Sequence, residues 1–374
     1  MLNKRNLIVL TIFSMYYSFL IMNQWIFIFY SITSGVLLYM EKNYIYQIIK
    51  KNKMSIYMLF IYVIVFSIPF IMLTNFSTPI YLLLTIWSIL LAIVFFKNNN
   101  LYDVFRSIKY LLYSYIIIVL IYLYVTHGKY PQGYHLEYML GDKVSANGVT
   151  SFLNILLGVY SAFNFKLNKK NTLILSLIVL YISIEGYARG SIIFSLVMIG
   201  INILFILFNS NKLKKLLFIF LLIMVIAKIS PLAYDIYNST KLSSGFESPR
   251  ITMLNQYLNK LNSYSLLFGS SYDNTIIESE YHNNPHITYI RTHHIFGLFY
   301  LLSLLYVIAQ QFFYLFKRGE INDWLIFLVV LNILMRTITE PLFFPSLFDS
   351  LFLVTLFLIS KTITITSITR SRNT

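Results

Sequence analysis

Histidines and arginines gather in one polar stretch of an otherwise apolar chain. Four of the six histidines fall between positions 282 and 294, and Arg250 and Arg291 lie in the same stretch. An imidazole titrates near neutral pH and can accept a proton during catalysis. A guanidinium binds the oxygens of phosphate or carboxylate groups. These residue types together predict proton transfer beside an anion-binding site.

The spacing of the histidines favours a single general base over a metal site. His282 and His286 do not form an HExxH-like helical pair, and the nearest acids, Glu278 and Glu280, fall in an irregular segment. The chain has no cysteine, so it offers no thiolate ligand or nucleophile. We therefore expect no metal and no cofactor, with one histidine acting as the base.

Arg250 stands at the predicted start of a helix. Ser248 suits an N-cap and Pro249 suits the first helical position. Ile251, Leu254, Leu258 and Leu261 then recur on one face, as in a helix that lies on a membrane surface. The helix N-terminus and the adjacent guanidinium together predict a phosphate site, although an ordinary surface helix with a solvated arginine remains the alternative.

Composition identifies the elements that must position these residues. Hydrophobic residues make up 58% of the 374 and charged residues only 11%, with a mean hydropathy of +0.70. Apolar runs of about 20 residues, the length that crosses a bilayer, recur along the chain. The sequence predicts an all-α polytopic membrane protein whose first apolar run is retained, with about twelve transmembrane helices. The expected spans lie near residues 6–21, 25–40, 54–73, 79–96, 108–126, 147–165, 171–185, 190–208, 214–232, 294–316, 324–339 and 344–361.

The distribution of basic residues predicts the orientation. The net charge is +15, but the lysines and arginines form short clusters between apolar runs, which sets topology and does not indicate a nucleic-acid partner. Most of these basic clusters fall on every second loop between the expected spans and on the two termini. We expect a multipass plasma-membrane protein with cytoplasmic termini. Its predicted regions are spans 1–9 in residues 1–233, a large extracytoplasmic loop in 234–293, and spans 10–12 with a tail in 294–374.

Two further arginines are predicted at the outer ends of spans. Arg189 sits in a tight turn four residues after Glu185, and Arg336 stands four residues before Glu340. A charge at that depth is costly, so it is either paired or functional. An ion pair within each turn, contact with lipid headgroups and binding of an anionic substrate all remain open for both arginines.

Three signatures in this order resemble the bacterial O-antigen ligase and polysaccharide polymerase superfamily, the Wzy-like membrane glycosyltransferases. The first is Tyr187-Ala188-Arg189-Gly190-Ser191, similar to a Ser-Arg-Gly turn between spans. The second is Pro249-Arg250 followed by Leu266-Leu267-Phe268-Gly269-Ser270. The third is His286-Ile287-Thr288-Tyr289-Ile290 with Gly297 eleven residues after the histidine. Ile287 stands where the family commonly has Asn, and His282-Asn283 is the alternative for the histidine.

The resemblance covers roughly residues 145–316 and implies a GT-C-like fold and an enzyme without metal or nucleotide sugar. It implies transfer of a glycan from an undecaprenyl-diphosphate donor at the outer leaflet of the bacterial inner membrane. Arg189 and Arg250 would hold the diphosphate and His286 would deprotonate the acceptor hydroxyl. Arg291, Arg336, His282 and Tyr289 are further candidates for substrate binding. The loop tyrosines that could stack on sugar rings are Tyr257, Tyr264, Tyr272, Tyr281 and Tyr289.

Three functions stay open. A polymerase of O-antigen or capsule would join lipid-linked repeat units and would act beside a chain-length regulator and a flippase. A ligase of the same superfamily would move the finished glycan to another acceptor. A flippase or transporter would have two related halves and charged or helix-breaking residues near span centres, and the sequence shows no such repeat. The sugars, the linkage and the stereochemistry are not readable from the sequence.

Overall fold

The computed structural model describes residues 3–51, 78–130, 135–140, 145–210 and 249–361. Within these ranges the chain is helical and contains no strand. The α-helices are α1 (Lys4–Ile21), α2 (Gln24–Met40), α3 (Lys42–Lys51), α4 (Thr78–Phe95), α5 (Asn98–Thr126), α6 (Ala146–Phe163), α7 (Leu173–Glu185), α8 (Arg189–Asn209), α9 (Pro249–Asn259), α10 (Ser263–Phe268), α11 (Ile276–Ser279), α12 (Thr288–Arg318), α13 (Ile321–Thr337) and α14 (Asp349–Phe357).

Helices occupy ten of the twelve expected spans, which agrees with an α-helical membrane protein. Four helical segments are long and apolar enough to cross a bilayer: Asn98–Thr126, Ala146–Asn168, Arg189–Asn209 and Thr288–Lys317. Shorter apolar helices cover Gln24–Met40, Pro79–Phe95 and Leu173–Glu185. The spans expected at 54–73 and 214–232 lie outside the described residues. The last span, expected at 344–361, has a regular α-helix only over Asp349–Phe357. The number twelve and the GT-C-like fold stay predictions.

The chain divides into two compact units. Unit 1 is formed by Met1–Ser107, Ser248–Arg318 and Thr337–Thr374. Unit 2 is formed by Ile108–Glu247 and Gly319–Arg336. The regions expected from the sequence, divided at positions 233 and 293, are consecutive along the chain. Each of the two units instead joins segments that are distant in sequence.

In unit 1, α1 packs along α2 and α14 packs against α4. Glu41 follows α2 and pairs with Lys4 and with Lys97, the latter at 2.7 Å. The loop helices α9, α10 and α11 belong to the same unit, and α10 packs against α12. Unit 1 therefore contains the segment from Pro249 to Arg291, where the sequence predicts the chemistry.

In unit 2, α6 is the central helix. It packs against α7 and α8, which form a hairpin, and nearly all of its residues are buried. The hairpin is joined by a hydrogen bond from the Thr172 backbone N–H to the Asn202 Oδ1 atom, 2.6 Å long. Asn202 also donates to the Ser176 hydroxyl at 3.1 Å. Polar side chains buried in apolar helices fix neighbouring helices, because an unpaired partner would be costly there.

α12 contains a break at Gly297, where φ is 72° and ψ is −170°. This backbone conformation is essentially restricted to glycine. A first helical piece from Thr288 therefore ends at the break, and the longer apolar piece runs from there to Arg318. The expected span began at residue 294, so the sequence placed its start inside the first piece.

Candidate functional site

The loop between α9 and α12 folds around a small hydrophobic core within unit 1. One face of α9 contributes to this core together with a residue of α11, residues that precede and follow α11, and the first piece of α12. Its buried members are Met253, Tyr257, Tyr272, Ile277, Ile287 and Ile290. The loop segment 249–287 is therefore a packed element with fixed side chains, as a site for chemistry requires.

Gly269 and Gly297 bring the backbone of the loop against α12. Gly269, at the end of α10, has φ 96° and ψ 161°, also in the glycine-only region. A Cβ atom added to Gly269 would lie 2.5 Å from the His293 carbonyl oxygen, and one added to Gly297 would lie 2.2 Å from the Leu267 carbonyl oxygen. Both glycines are therefore required for one backbone-to-backbone contact, which joins two of the signatures found in the sequence.

His293 and His294 take part in this contact. The His293 Nε2 atom lies 2.7 Å from the Leu266 carbonyl oxygen, which can only accept, so Nε2 carries the proton. Its Nδ1 atom then accepts from the Tyr257 hydroxyl at 2.8 Å. His294 donates from Nδ1 to the Ser270 carbonyl oxygen at 2.6 Å. Both imidazoles are occupied in holding the loop on α12.

Arg250 forms an ion pair with Glu340, ninety residues away in sequence. The Arg250 Nη2 atom lies 3.3 Å from the Glu340 Oε1 atom, and 28% of the arginine side chain and 11% of the glutamate side chain are exposed. The helix expected to begin at Pro249 is present as α9. The proposed N-cap, Ser248, lies outside the described residues. The Arg250 side chain is thus partly exposed and paired with an acid from a distant segment.

Glu340 is held in place by the first piece of α12. The Thr288 hydroxyl donates to the Glu340 carbonyl oxygen at 2.7 Å, and the Arg291 Nη1 atom donates to the Pro341 carbonyl oxygen at 3.3 Å. The Arg291 guanidinium also lies 5.3 Å from the centre of the Tyr81 ring, a cation–π distance. Arg291, a candidate for substrate binding, therefore fixes the backbone beside Glu340.

His286 lies within the electrostatic reach of both members of the ion pair. Burial lowers the pKa of the His286 imidazole, the negative charge of Glu340 opposes this effect and the positive charge of Arg250 adds to it. The Tyr281 ring packs edge-on against the imidazole, with ring centres 5.5 Å apart. A histidine with a lowered pKa is neutral at pH 7, which is the form that accepts a proton. We call Arg250, Glu340 and His286 the Arg250 cluster.

The backbone around the cluster is strained. His282, Asn283 and His286 have φ values of 49°, 63° and 50°, in the left-handed region that non-glycine residues rarely adopt. Each such residue costs on the order of 1–3 kcal/mol, and such residues concentrate at functional sites. His282 is exposed, whereas His286 is partly buried beside the ion pair. Of the two histidines that the sequence leaves open as the base, only His286 lies beside the ion pair in the part of the chain that the structure describes.

The loop tyrosines divide by burial. Tyr257 and Tyr272 are only 2% and 4% exposed and belong to the core, so the prediction that they stack on sugar rings is wrong. Tyr264 is 40% exposed. Tyr281 and Tyr289 are half-buried, and the Tyr289 hydroxyl accepts from the Thr337 hydroxyl at 3.0 Å. Burial explains the difference, because the loop has a hydrophobic core of its own that the sequence pattern did not reveal.

Three of the four residues expected on the apolar face of α9 are exposed, whereas Leu261 lies beyond the end of the helix and packs against the loop core. Ile251, Leu254 and Leu258 are 52%, 38% and 50% exposed, while the opposite side of the helix buries Met253 and Tyr257 in the loop core. Aliphatic side chains exposed at helical spacing are typical of a helix at a membrane surface. That location stays a prediction.

Unit 2 contains the other two arginines. Arg189 is the first residue of α8, after a turn in which Gly186 ends α7. Arg336, in the last turn of α13, is 4% exposed and donates to the hydroxyls of Ser151 and, at 3.3 Å, Ser191. Ser191 also donates to the Thr150 hydroxyl at 2.9 Å. We call Arg336, Ser151, Ser191 and Thr150 the Arg336 cluster. Since Ser191 follows Arg189 by two residues, both arginines lie at the same end of the helices of unit 2.

Comparison of the chain with protein-family models, with curated proteins and with solved structures finds no match.

Glu340 is the residue of the site that the sequence did not assign. The sequence suggests Arg336 as the partner of Glu340, because the two are four residues apart. In the structure the ion pair joins Glu340 to Arg250 instead. No local pattern indicates a pair ninety residues apart. The available signal was the presence of an acid directly before Pro341, beyond the end of a predicted span, in a chain with only 14 acidic residues.

Proposed function

We propose that this chain is a membrane glycosyltransferase, a polymerase of a bacterial surface polysaccharide such as O-antigen or capsule. It transfers a glycan from an undecaprenyl-diphosphate donor to the next lipid-linked repeat unit at the outer leaflet of the plasma membrane. The observation that supports the proposal is the Arg250 cluster, in which a partly exposed guanidinium and a neutral histidine share one folded loop beside an apolar helix face.

The reaction needs two groups that the cluster supplies. The acceptor hydroxyl oxygen forms a bond to the anomeric carbon, and the bond from that carbon to the diphosphate oxygen breaks with its electron pair. His286 takes the proton of the acceptor hydroxyl, which its neutral form permits. Arg250 offsets the charge that develops on the departing diphosphate, because a guanidinium donates two parallel hydrogen bonds to phosphate oxygens.

The remaining candidates have supporting roles in this proposal. Arg291 sets the backbone at Pro341 and Glu340, so its loss would act through the position of the cluster. Arg189, at the outer end of α8 in the proposed orientation, is a second candidate for the diphosphate. Both termini are cytoplasmic in this orientation, and the loop 234–293 is outside.

Deletion of the gene followed by gel analysis of the surface glycan tests the proposal. A polymerase predicts that the ladder of chain lengths is lost while a single repeat unit is retained. Loss of all attached glycan with accumulation of lipid-linked polymer identifies a ligase instead. Loss of lipid-linked repeat units from the outer leaflet identifies a flippase and overturns the proposal.

Complementation with Arg250→Ala, His286→Ala and Arg189→Ala tests the site. Each is expected to fail to restore the ladder while the protein accumulates normally. Lys260→Ala is the matched control, because it removes a cation directly after α9 whose contacts are with Ser271 and Asp273, outside the cluster. Full restoration by all three variants would refute the site.

A further inference from the structure

Basic side chains gather at one end of unit 1, where the ends of four helices lie together. Glu41, which follows α2, pairs with Lys4 at the start of α1 and, at 2.7 Å, with Lys97 after α4. The Arg5 Nε atom lies 3.7 Å from the Asp103 Oδ1 atom, near the start of α5. We define the basic end of unit 1 by nine charged residues of these helix ends and of the adjoining helices α3 and α14: Lys4, Arg5, Glu41, Lys42, Lys50, Lys97, Asp103, Arg106 and Lys361.

The basic end carries more positive charge than its acids neutralise. Seven of its nine charged residues are basic, and Glu41, one of the two acids, is already shared by two lysines. Lys42 and Lys50 are exposed, and among the described residues neither ammonium forms an ion pair with a carboxylate. The Lys42 Nζ atom instead lies 4.2 Å from the centre of the Tyr39 ring. An external anion can compensate this charge.

The helix α3 presents a polar stripe away from the rest of unit 1. Another side of the helix packs against α2 and α4 and buries Ile45, which is 9% exposed. Lys42, Tyr46 and Lys50 recur every four residues, which places them along one stripe of the helix surface. All three are exposed, Tyr46 to 64%. At a rise of about 1.5 Å per residue, the two lysines flank the tyrosine over about 12 Å.

The position of α3 in the chain predicts that this stripe lies at a membrane surface. The apolar helix α2 ends at Met40, and the next apolar run of bilayer length is expected at 54–73. A helix that joins two spans and packs back against the first of them lies near the lipid headgroups. Lysine and tyrosine suit that depth, because each combines an apolar stem or ring with a polar end.

A layer of anionic phospholipid headgroups has the chemistry that fits this stripe. Its negative phosphates lie side by side in one plane, so two lysines about 12 Å apart can contact separate headgroups. A single small anion would reach only one of them. An acidic protein segment offers the charge but not the apolar layer beneath it, which favours a tyrosine ring at the boundary. Each lysine at an anionic surface contributes about 5-fold to the affinity, and salt screens the attraction.

We propose that the exposed stripe of α3, formed by Lys42, Tyr46 and Lys50, binds the headgroups of anionic phospholipids and holds the basic end of unit 1 at the membrane surface. In the orientation expected from the sequence, these lipids belong to the cytoplasmic leaflet. The lipid surface is independent of the glycan transfer proposed above, and no bond is made or broken at it. Its loss changes lipid binding whether or not the chain transfers glycan.

Lipid titration of the full chain tests the binding. The protein is purified in a non-ionic detergent, and native mass spectrometry measures the binding of dioctanoyl phosphatidylglycerol and of dioctanoyl phosphatidylcholine. We expect Lys42→Gln/Lys50→Gln to lower the affinity for phosphatidylglycerol by about 10-fold or more and that for phosphatidylcholine by less than about 2-fold. Lys42→Arg/Lys50→Arg keeps the charges and should keep the affinity. Equal affinity of the wild type and the Gln variant for phosphatidylglycerol overturns the inference.

Lys129→Gln/Lys260→Gln is the matched control, because it removes two positive charges outside the basic end. Lys129 is exposed in the turn after α5, and the Lys260 ammonium donates to Ser271 and Asp273. This variant should lower the affinity for phosphatidylglycerol by less than about 2-fold. An effect as large as that of the α3 variant would show that only the net charge matters, which contradicts a surface on α3.

Inorganic phosphate separates a lipid headgroup from a free anion as the occupant. Added phosphate should compete with phosphatidylglycerol no more than sodium chloride does at the same ionic strength, because both then act only by screening. Stronger competition by phosphate would identify a site for a single small anion and would overturn the lipid surface.

A spin label tests the location of α3. The chain has no cysteine, so Tyr46→Cys provides a single labelling site for a nitroxide. The label should be at least about 2-fold less accessible to a water-soluble nickel complex in nanodiscs that contain phosphatidylglycerol than in nanodiscs of phosphatidylcholine alone. Ser279→Cys, an exposed position between Glu278 and Glu280, is the control and should show no change. An equal change at both positions, or no change at position 46, overturns the inference.

Discussion

The Arg250 cluster and the Arg336 cluster accommodate a guanidinium in opposite ways. Arg250 faces one carboxylate across 3.3 Å and keeps 28% of its side chain exposed. Arg336 is 4% exposed, and serine hydroxyls of α6 and α8 accept its hydrogen bonds. The first arginine keeps part of its side chain exposed, whereas the second joins three helices of unit 2.

The two regions also differ in what holds them together. Around Arg250 the loop is held by a backbone contact at Gly269 and Gly297 and by a small hydrophobic core. Around Arg336 the arginine itself supplies the contacts between helices. The comparison therefore separates a partly exposed ion pair in unit 1 from a buried, hydrogen-bonded arginine in unit 2.

The largest expected effect is that of His286→Gln on transfer. Loss of a general base lowers rates by about 10²–10⁴-fold, and glutamine keeps the size of the side chain without accepting a proton. The measurement is the rate of transfer from a lipid-linked donor by the purified protein. His282→Gln is the control, because His282 is exposed, and it should reduce the rate by less than about 10-fold. A reversal of these two effects would assign the base to His282.

Arg250→Ala should lower the transfer rate by about 10²–10³-fold, the range found when a group that stabilises developing charge is removed. The free energy of unfolding should fall by no more than about 1 kcal/mol, because a partly exposed ion pair contributes little. Transfer assays and thermal unfolding in detergent measure the two quantities. A large loss of stability would show that Arg250 belongs with Arg336 as a structural residue.

Gly297→Ala tests whether the backbone contact at Gly269 and Gly297 holds the loop against α12. The added Cβ would lie 2.2 Å from the Leu267 carbonyl oxygen in a backbone conformation that alanine avoids, so we expect a loss of at least about 2–3 kcal/mol in unfolding free energy. Two glycines serve as controls. Gly128 also has positive φ, but a Cβ atom added there would meet no atom within 4 Å, so Gly128→Ala measures the backbone strain without a steric clash. A Cβ atom added to Gly200 would meet no atom within 4 Å, and Gly200 has no positive φ. Its alanine variant should therefore be neutral or slightly stabilising. Equal effects at Gly128 and Gly297 would contradict the role of the close contact.

Arg336→Ala should lower the free energy of unfolding by about 2–3 kcal/mol, since hydrogen bonds from a buried charged group are lost and Ser151 loses its donor. Arg336→Lys keeps the charge and should recover only part of the loss, because the lysine ammonium does not occupy the position of the Nη2 atom that donates to both hydroxyls. Thermal unfolding measures both. If Arg336→Ala abolishes transfer while stability is unchanged, the comparison between the clusters is wrong and Arg336 contacts the substrate.

The smallest effect is the dependence of stability on pH through His286. Its pKa is lowered in the folded state, chiefly by burial, so the unfolded state binds a proton first as the pH falls. Stability is therefore lost as the pH falls through the ordinary histidine value, and the loss levels off below the lowered pKa of the folded state. The unfolding temperatures of the wild type and His286→Gln at pH 7.5 and 5.5 measure this. The unfolding temperature of the wild type should fall more between pH 7.5 and 5.5 than that of His286→Gln. An equal fall in both proteins would contradict the lowered pKa of His286.

The local sequence predicted the helices well. The apolar runs that became α2, α7 and α8 end within a few residues of their expected limits, because turn residues and charges interrupt them. The helix beginning at Pro249 followed from a proline that is tolerated in the first turn and an apolar repeat at helical spacing. The sequence shows Gly297 as part of a motif. Only the structure shows why glycine is required there, because the Leu267 carbonyl oxygen lies against it.

Partners distant in sequence could not be predicted in this way. Glu340 was compared with Arg336 because the two share a helical spacing, yet its ion pair is with Arg250. Tyr257 was a candidate for stacking on sugars, and its hydroxyl instead holds His293 inside the loop. In both cases the deciding contact joins segments that no periodic pattern connects.

The sequence by itself determined that the chain is helical and apolar, that many of its polar residues lie in one long loop, and that Arg189, Arg250 and Arg336 stand at the ends of expected helices. Hydrophobic runs and caps act over a few residues, so they can be read locally. Only the tertiary structure decided which arginine is buried among hydroxyls, which one faces a carboxylate, and which histidine has both charges near it. These outcomes depend on burial and on contacts between distant segments, which set the cost of a charge and therefore its availability for chemistry.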